Sequence, residues 1–513
     1  MARAILEGDL LLRGYGLLYY SPLYAYFCAA IYSIGGWANF DLLHLIQALI
    51  GAACCWMVWA LARTWLERGP SAFAAGLAIL ARPWLFHEQL LLVEGLVLAL
   101  NLAVLLLLRG AELERRAWRA RLAVAGAASV LAYLGRGNFI VLIAAIPIWL
   151  FFRFSRPERE GRWRWTRGVA SAGLYLAGGV VLMLPLALRN HAVAGQWRLG
   201  TTNGPALMYL GNAADASGEF RDSKLFSEAH AQAGRDPGVY MRSMRRDLRA
   251  DPGAVAFNLL RKTYFFWNGY DLPDNASLYI GRHVSRAIRW TPVTATALMA
   301  LGLVGAALSL RRGGEFSLLW IYLALFSASI VAIVPVGRYR LPVFAALMIF
   351  AAAGASVLAR WARERRGWRI AAAAAALLAA VFLFAPDRSF LVRHQDYANF
   401  LEAALDRGKF AVADRVLNAA MRDYDRSTVL MKLTLWLSAE LGDWDRAREA
   451  ARFMETDRSF SAPVGRALAL LYERDGRREE AVRVLDLLIL SDPNDEAARR
   501  IKARIESGGP PPP

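Results

Sequence analysis

Long apolar segments alternate with short polar turns over the first 386 residues of the chain. The segment QLLLVEGLVLALNLAVLLLL at 89–108 has one acidic residue in twenty, and about 20 apolar residues suffice for a helix to cross a bilayer. The shorter segment 22–35 has the length of a re-entrant or interfacial helix. The pattern predicts ten membrane-spanning helices, near 41–62, 71–86, 89–108, 122–135, 137–152, 168–188, 290–309, 316–334, 341–358 and 370–386.

The pattern changes after residue 386. Glycine recurs every 34 residues, and an alanine follows each glycine by five positions: Gly408 and Ala413, Gly442 and Ala447, Gly476 and Ala481. This period is typical of tetratricopeptide helix pairs, which stack into a solenoid and bind proteins or serve as a structural cap. The fold class is therefore all-α, a polytopic membrane domain over 1–386 with a TPR-like solenoid over 387–506. The final residues, 507–513, read SGGPPPP and predict a disordered tail.

Composition agrees with a membrane protein. Apolar residues make up 57% of the chain and its mean hydropathy is +0.30, which excludes a soluble enzyme, a disordered chain and a collagen-like chain. The three cysteines all lie in apolar stretches, so no disulfide framework is expected.

The net charge of +18 raises the question of a nucleic-acid partner. Twenty arginines, however, lie in five short turns with only seven acidic residues, whereas the intervening short turns carry only Arg82, Arg136, Arg338 and Arg340. Basic short loops remain in the cytoplasm, so the net charge reflects the membrane topology and does not indicate a nucleic-acid partner. We expect a multi-pass protein of the bacterial plasma membrane, with the loop 189–289 and the C-terminal repeats on the extracytoplasmic side.

Sequence motifs bear on three other kinds of ligand: nucleic acids, nucleotide cofactors and metal ions. The segment RWRWTR at 162–167 interleaves aromatic residues with arginine, but in a short cytoplasmic turn it favours lipid headgroups, and we expect no nucleic-acid partner. The chain has no GxxxxGK[ST] motif and no zinc spacing, so we expect no nucleotide cofactor and propose no metal ligands. The motifs leave open whether the protein binds a divalent cation.

Polar residues at the predicted outer face are candidates for chemistry. Glu94 lies within an apolar run, where an isolated carboxylate is costly, so it serves either catalysis or an arginine on a neighbouring helix. His87 and Glu88 lie at the outer end of the preceding span, where His87 is a candidate substrate ligand and Glu88 a candidate catalytic carboxylate. On a continuous helix Glu88 and Glu94 would point in different directions, because six residues turn a helix by about 600°.

Arg338 and Arg340 flank Tyr339, a candidate substrate ligand, in VPVGRYRLP. Guanidinium groups suit bidentate binding of phosphate, although arginine and tyrosine also anchor helices at the membrane interface. The loop 189–289 is rich in Asn, Gly, Thr and aromatic residues, which suit a carbohydrate surface or turns, and NGP at 203–205 predicts a turn. In this loop Asn212 is a candidate substrate ligand.

Four stretches together resemble the GT-C superfamily of membrane glycosyltransferases, in the branch of protein mannosyltransferases and aminoarabinose–lipid A transferases. They are ARAILEGD with YYSPLYAYFCA at 2–30, FHEQLLLVEGL at 86–96, RNHAVAGQW with MYLGNAADASGEF, and GRYRLPVFAAL at 337–347. The resemblance implies transfer of a sugar, with inversion, from a polyprenyl-phosphate carrier to an acceptor outside the cytoplasm. It implies a protein or glycolipid acceptor.

The resemblance also implies roles for individual residues. Glu94 matches an acidic position, Arg338 and Arg340 match basic positions that hold the carrier phosphate, and Lys262 and Arg189 are weaker candidates for that role. The first-loop aspartate of the family would fall before Met1, which leaves Glu7 and Asp9 as the acids of this loop and Asp9 as its catalytic candidate. We therefore expect the start of the sequence to lack a first helix, unless the N-terminus crosses the membrane unaided.

Two other classes of function remain open. A catalytically inactive scaffold would recruit cell-envelope partners through its repeats. A transporter of lipid-linked sugars would move its substrate without transfer, although the spans show no internal repeat of the kind that such carriers often have.

Overall fold

The computed structural model describes residues 1–114, 116–157, 163–234, 236–274, 276–312, 314–387, 392–424, 427–452 and 461–509. Over these ranges the chain is helical, with one isolated β-bridge between Ala81 and Val293. Two compact units form: Met1–Asp274 with Thr291–Asp387, and Asn275–Trp290 with Arg388–Pro513.

The α-helices are numbered in chain order. They are α1 (Ala2–Leu6), α2 (Leu23–Gly35), α3 (Phe40–Ala62), α4 (Arg68–Ile79), α5 (Arg82–Glu88), α6 (Glu94–Leu113), α7 (Trp118–Gly135), α8 (Ile140–Ser155), α9 (Trp165–Ala194), α10 (Asn203–Leu210), α11 (Lys224–Ala233), α12 (Gly238–Ala250), α13 (Pro252–Trp267), α14 (Leu278–Val284), α15 (Arg286–Trp290), α16 (Ala295–Leu308), α17 (Ser317–Ile333), α18 (Leu341–Arg363), α19 (Gly367–Leu383), α20 (His394–Asp406), α21 (Phe410–Asp423), α22 (Thr428–Leu441), α23 (Trp444–Arg452), α24 (Ala462–Arg474), α25 (Arg478–Ser491) and α26 (Glu496–Glu506).

The first unit has the helices of a multi-pass membrane protein. Five helical segments within the described residues are long and apolar enough to cross a bilayer: Phe40–Ala62, Glu94–Leu113, Gly137–Ser155, Trp165–Ala194 and Gly337–Arg363. Shorter apolar helices accompany them, namely α2, α16, α17 and α19. All ten segments predicted to span the membrane are helical over most of their length.

Helix α18 forms the centre of the first unit, because every residue from Leu341 to Gly354 is buried. Glycine lets the neighbouring helix approach it closely. A Cβ at Gly305 of α16 would collide with the backbone of Phe350, and a Cβ at Gly354 would lie 2.6 Å from the Cα of Gly305. Helix association in lipid lacks a hydrophobic driving force. Small residues at such crossings let the backbones approach closely, and van der Waals packing then stabilises the helix pair.

Two predicted spans differ from the structure. The segment 71–86 is broken, because α4 ends at Ile79 and the backbone N–H of Arg82 donates to the carbonyl of Val293 at 2.8 Å. Proline at position 83 then fits the first turn of α5, where its missing N–H costs nothing. The predicted start of the span 89–108 is wrong, because a turn covers 89–93 and α6 begins at Glu94.

The long loop of the first unit is itself helical. It contains α10 to α13, and the predicted turn at 203–205 is instead the first turn of α10, which begins at Asn203. A cluster of buried apolar side chains joins α10, α11 and α12, with Tyr209, Phe226 and Tyr240 at its centre. The loop is thus a packed subdomain of short helices.

The second unit is built from α14, α15 and α20 to α26. Gly408, Gly442 and Gly476, which are 34 residues apart, all have positive φ, a conformation that glycine adopts without a steric penalty. The alanine five residues after each glycine is fully buried. The repeat in the sequence is therefore a repeat of helix ends and of close helix contacts. Residues 510–513 of the predicted disordered tail, and Arg162 of the segment 162–167, lie outside the described residues.

Candidate active site

Glu94 is the first residue of α6, where the partial positive charge of the helix N-terminus stabilises a carboxylate. It is buried, with a side chain 3% exposed, and it forms ion pairs with Arg136 and with Arg338. Its distance to the nearest guanidinium nitrogen of Arg338 is 3.2 Å. Glu94, which the sequence predicted to lie inside a membrane span, is therefore the first residue of α6 and lies between two arginines.

Arg338 connects Glu94 to a second carboxylate. Its other terminal nitrogen lies 2.5 Å from Asp274, whose side chain is 4% exposed. The guanidinium of Arg136 stacks 3.9 Å from the ring centroid of Tyr339, a cation–π contact that fixes its orientation. We call Glu94, Arg136, Asp274, Arg338 and Tyr339 the Glu94 cluster.

The Glu94 cluster borders a small cavity. Its volume is about 10 Å³, which is room for about one water molecule. Glu94, Arg136, Arg338 and Tyr339 line it together with Val97, Asn138, Phe326 and Pro342. Two guanidinium groups and a carboxylate thus face one enclosed space.

Contacts from α2 and α3 hold the turn that precedes Glu94. The hydroxyl of Tyr24 donates to the side-chain carbonyl of Gln47 at 2.7 Å. The amide of Gln47 in turn donates to the backbone carbonyls of Glu88 at 3.3 Å and Leu90 at 3.1 Å. Because the carbonyls of this turn are bound from outside, the start of α6 is fixed.

Arg340 differs from its neighbour Arg338. It is fully buried and donates to the backbone carbonyls of Phe266 at 3.1 Å, Asn268 at 2.7 Å and Tyr270 at 2.7 Å. The predicted role in binding donor phosphate does not fit this position, because the guanidinium binds the segment 266–270. Arg340 instead positions the loop that carries Asp271 and Asp274.

His87 lies against the same loop. Its Nε2 is 3.3 Å from a carboxylate oxygen of Asp271, and both side chains are buried. Burial opposes ionisation of Asp271, but its interactions with His87, which include a hydrogen bond, and with the Arg340 guanidinium outweigh burial and lower the pKa of this carboxyl. A predicted substrate ligand is therefore paired with a carboxylate of the protein.

Lys262 and Asn212 come together, but around a helix end. The ammonium of Lys262 donates to the side chain of Asn212 at 2.7 Å and to the carbonyls of Ala332 and Ile333 at 3.2 Å each. Burial lowers the pKa of Lys262 to about 8. A cation at the C-terminal carbonyls of α17 stabilises that end of the helix. Phosphate binding by Lys262 and substrate binding by Asn212 therefore remain less favoured than this structural role.

Arg189 and Asp9 organise the N-terminal segment. Arg189 donates to the carbonyls of Leu11 at 2.8 Å and Leu12 at 2.7 Å. Asp9 accepts from the backbone N–H of Arg13 at 2.9 Å, and this bond lowers the pKa of its carboxyl. Both predicted site residues thus bind backbone groups, and neither is among the residues that line the cavity at Glu94.

Glu88 is separate from Glu94. It is the last residue of α5, and its carboxyl contacts Gly51 of α3, where a side chain would fill the same space. The prediction that Glu88 and Glu94 do not form a carboxylate pair was argued from one continuous helix. That premise is wrong, because the turn at 89–93 separates α5 from α6.

The structure adds Arg136 and Asp274 to the site. Arg136 is one of the four arginines in the short turns between the five basic turns, and this unequal distribution was the available signal. Asp274 lies in the sequence YDLPDN, where Asp and Pro also fit an ordinary turn. Nothing in the sequence indicated that these residues meet residues 94 and 338.

Comparison with known proteins agrees with part of this picture. The family model of the dolichyl-phosphate-mannose–protein mannosyltransferases matches residues 20–185, about a third of the chain. No curated protein and no solved structure matches the chain. The matched part contains Glu94 and Arg136 of the Glu94 cluster, and the remainder of the cluster lies beyond it. The match supports a multi-pass membrane glycosyltransferase of the GT-C type that uses a polyprenyl-phosphate-linked sugar.

Proposed function

We propose that this protein transfers a sugar from a polyprenyl-phosphate carrier to an acceptor hydroxyl on the extracytoplasmic side of the membrane, with inversion at the anomeric carbon. The observation that carries the proposal is the Glu94 cluster, in which two arginines and a carboxylate line one cavity at the end of a membrane helix. The family match to residues 20–185 supports the same class of reaction.

The arginines supply the binding site for the carrier phosphate. A cavity of about 10 Å³ has no room for a phosphodiester, so donor binding has to displace groups that now fill it. The phosphate oxygens would replace Glu94 on Arg136 and Arg338, since guanidinium groups bind phosphate and carboxylate with the same planar geometry. Released in this way, Glu94 remains ionised at the N-terminus of α6.

Glu94 then serves as the general base. It accepts the proton of the acceptor hydroxyl while the acceptor oxygen bonds to the anomeric carbon, and the bond from that carbon to the phosphate oxygen breaks. The polyprenyl phosphate leaves with the electron pair of the broken bond. Arg136 and Arg338 stabilise the negative charge that develops on it.

The remaining residues have supporting roles in this proposal. Asp274 neutralises Arg338 until the phosphate replaces it, and Tyr339 supports Arg136 and presents its ring to the sugar. Arg340 positions the loop of Asp271 and Asp274, and Lys262 with Asn212 fixes the end of α17 that leads into Arg338. We assign Asp9, Glu88 and Arg189 no part in transfer.

We further propose that the second unit is a tetratricopeptide-like array that binds a protein of the cell envelope. The observation in favour is the geometry of its repeat, with glycine in a left-handed conformation and buried alanine every 34 residues. Stacked helix pairs of this kind form a concave surface. Such a partner would be the acceptor or would deliver it.

The experiment uses the full chain, purified and reconstituted in phospholipid vesicles. Undecaprenyl phosphates that carry radiolabelled mannose, glucose or aminoarabinose are supplied with an envelope extract as acceptor. Two products are measured, labelled acceptor and free polyprenyl phosphate, and the anomeric configuration of the product is read by NMR. We expect one donor to be consumed, with R136Q/R338Q inactive and E112Q active.

Other outcomes separate the alternatives. Uncleaved donor that crosses the vesicle membrane would establish a transporter instead. Folded protein that neither transfers nor moves any of these donors, yet retains an envelope protein through residues 392–509, would establish a scaffold. A product with retained anomeric configuration would contradict the direct displacement but not the transfer of the sugar.

A further inference from the structure

Helix α13 exposes a broad apolar face although it is not one of the membrane-spanning segments. Phe257 is 65% exposed, Leu260 is 70% exposed and Tyr264 is 48% exposed. Their spacing of three and four residues places them on one side of the helix. Exposed apolar surface of this extent marks an interaction site.

The opposite face of α13 is fixed to the end of one apolar helix. Lys262 donates to the last carbonyls of α17, at Ala332 and Ile333. One turn earlier, Asn258 donates to the carbonyl of Gly211 at 2.9 Å. Since α17 is one of the apolar helices of the bundle, this face of α13 lies at the C-terminal end of an apolar helix.

A second apolar helix ends at the same place. The hydroxyl of Tyr264 donates to Asp387 at 3.0 Å, and the backbone N–H of Gly269 donates to the carbonyl of Phe384 at 2.8 Å. Both acceptors lie just beyond the C-terminus of α19, another apolar helix. The C-terminal ends of two apolar helices, α17 and α19, thus lie against α13.

Helix α12 adds a row of positive charge directly before α13. Arg242, Arg245, Arg246 and Arg249 lie on one exposed stripe and line an open recess of about 620 Å³. Arg242 pairs with Asp236 at 2.7 Å and Arg246 pairs with Asp247 at 3.2 Å. Only Asp251 separates α12 from α13.

We propose that α13 lies in the membrane interface, with its exposed apolar face among the acyl chains, and that the arginine stripe of α12 binds the phosphates of anionic lipid headgroups. An amphipathic helix with adjacent basic residues is the pattern of an interfacial element. This contact holds the α10–α13 subdomain on the bilayer. Because α13 leads into the loop of Asp271 and Asp274, it sets the Glu94 cluster at the depth of lipid headgroups.

The placement of α13 is tested on the unaltered chain in nanodiscs that contain a lipid with a photoactivatable acyl chain. After illumination, cross-linked peptides are identified by mass spectrometry. We expect lipid adducts on residues 252–267 at Phe257, Leu260 or Tyr264, as well as on α3. Adducts on α3 without adducts on 252–267 would overturn the interfacial placement.

The lipid-binding part is tested with R245Q/R249Q, which leaves both ion pairs of α12 intact. In nanodiscs with phosphatidylglycerol and phosphatidylcholine, native mass spectrometry measures the anionic lipid retained by the protein. We expect the double variant to bind phosphatidylglycerol about tenfold or more weakly, because each basic residue near an anionic surface contributes about 1 kcal/mol. The matched control, R407Q/R415Q in the second unit, should retain the affinity of the unaltered chain.

Equal retention of phosphatidylglycerol by R245Q/R249Q and the control would overturn the headgroup site. Stronger binding of a soluble polyanion such as heparin than of phosphatidylglycerol, lost in the same variant, would also overturn it in favour of an acidic macromolecule. None of these measurements uses sugar transfer, so their failure is distinguishable from a failure of the proposed function.

Discussion

Helix α6 carries a glutamate near each end, and two arginines bind each of them. Glu94 begins the helix and pairs with Arg136 and Arg338. Near the other end, Glu112 pairs with Arg109 and Arg153, and its side chain is 8% exposed. The residue types are the same and both glutamate side chains are little exposed, so the two clusters can be compared directly.

Their surroundings differ. Both oxygens of Glu112 accept hydrogen bonds from its arginines, and Arg109 also donates to the hydroxyl and the carbonyl of Thr64. Around Glu94 the contacts are ion pairs, and neither of its oxygens has a hydrogen-bond partner among the described residues. A buried charge left short of hydrogen bonds is costly, which is acceptable where a ligand completes the set.

Helix position reinforces the contrast. Glu94 lies at the positive N-terminal end of α6, whereas Glu112 lies near the negative C-terminal end and depends on its arginines. The helix terminus thus favours a negative charge at Glu94 and disfavours one at Glu112. Identical side chains thus form a structural clamp at one end of a helix and a candidate site at the other.

The largest expected effect is that of Glu94→Gln. If Glu94 is the general base, kcat for sugar transfer should fall about 100-fold or more. The donor KM should not rise, because a neutral amide competes less strongly for Arg338 than a carboxylate does. Steady-state kinetics in vesicles measure both values, and a rise in KM with unchanged kcat would assign Glu94 to donor binding and contradict its role as the general base.

Arg338→Ala comes next. Loss of one charge-assisted contact to phosphate should weaken donor binding about 30-fold, since such a bond contributes about 2 kcal/mol. Arg338→Lys should recover only part of this affinity, because an ammonium lacks the planar geometry. Binding is measured by titration with undecaprenyl phosphate, and full recovery by lysine would argue against bidentate recognition.

Glu112→Gln should instead lower stability. Breaking a buried charge pair costs about 3 kcal/mol, and the melting temperature in detergent should fall by several degrees. The transfer rate per folded molecule should stay unchanged. An equal loss of activity in E112Q and E94Q would remove the distinction between the two clusters.

The smallest effect concerns Asp274→Asn. Without its negative charge, Asp274 no longer competes for Arg338, so undecaprenyl phosphate should bind severalfold more tightly while transfer is retained. Weaker binding in this variant would show that Asp274 orients Arg338 more than it competes with the ligand. Alanine at the same position serves as the matched control for loss of the side chain.

Local pattern predicted much of the architecture. Apolar runs fixed the positions of the membrane helices because a span must be apolar along its whole length. The 34-residue period marked the helix pairs of the second unit because glycine and alanine are required wherever helices end or meet closely. The break at 89–93 was missed, since the residues of that turn are as apolar as those of the helix that follows.

The site shows where sequence reasoning ended. Glu94 and Arg338 were recognised one at a time, as costly or cationic groups in an apolar context. Arg338 and Arg340 looked equivalent in the sequence, yet one faces the cavity and the other binds three backbone carbonyls. Two positions along a tight helical turn point in different directions, and the packing of α18 decides which arginine is buried.

By itself, then, the sequence determined the class of the protein, the course of its membrane helices and the types of residue available for chemistry. These properties depend on composition over short windows. Only the tertiary structure decided that Glu94, Arg136, Asp274 and Arg338 form one cluster and that Glu112 does not belong to it. Those four residues lie far apart in the chain. They meet because the N-terminal ends of α6 and α18 and the C-terminal end of α7 lie side by side, next to the loop of Asp274. No local pattern in the sequence records where the ends of helices lie in space.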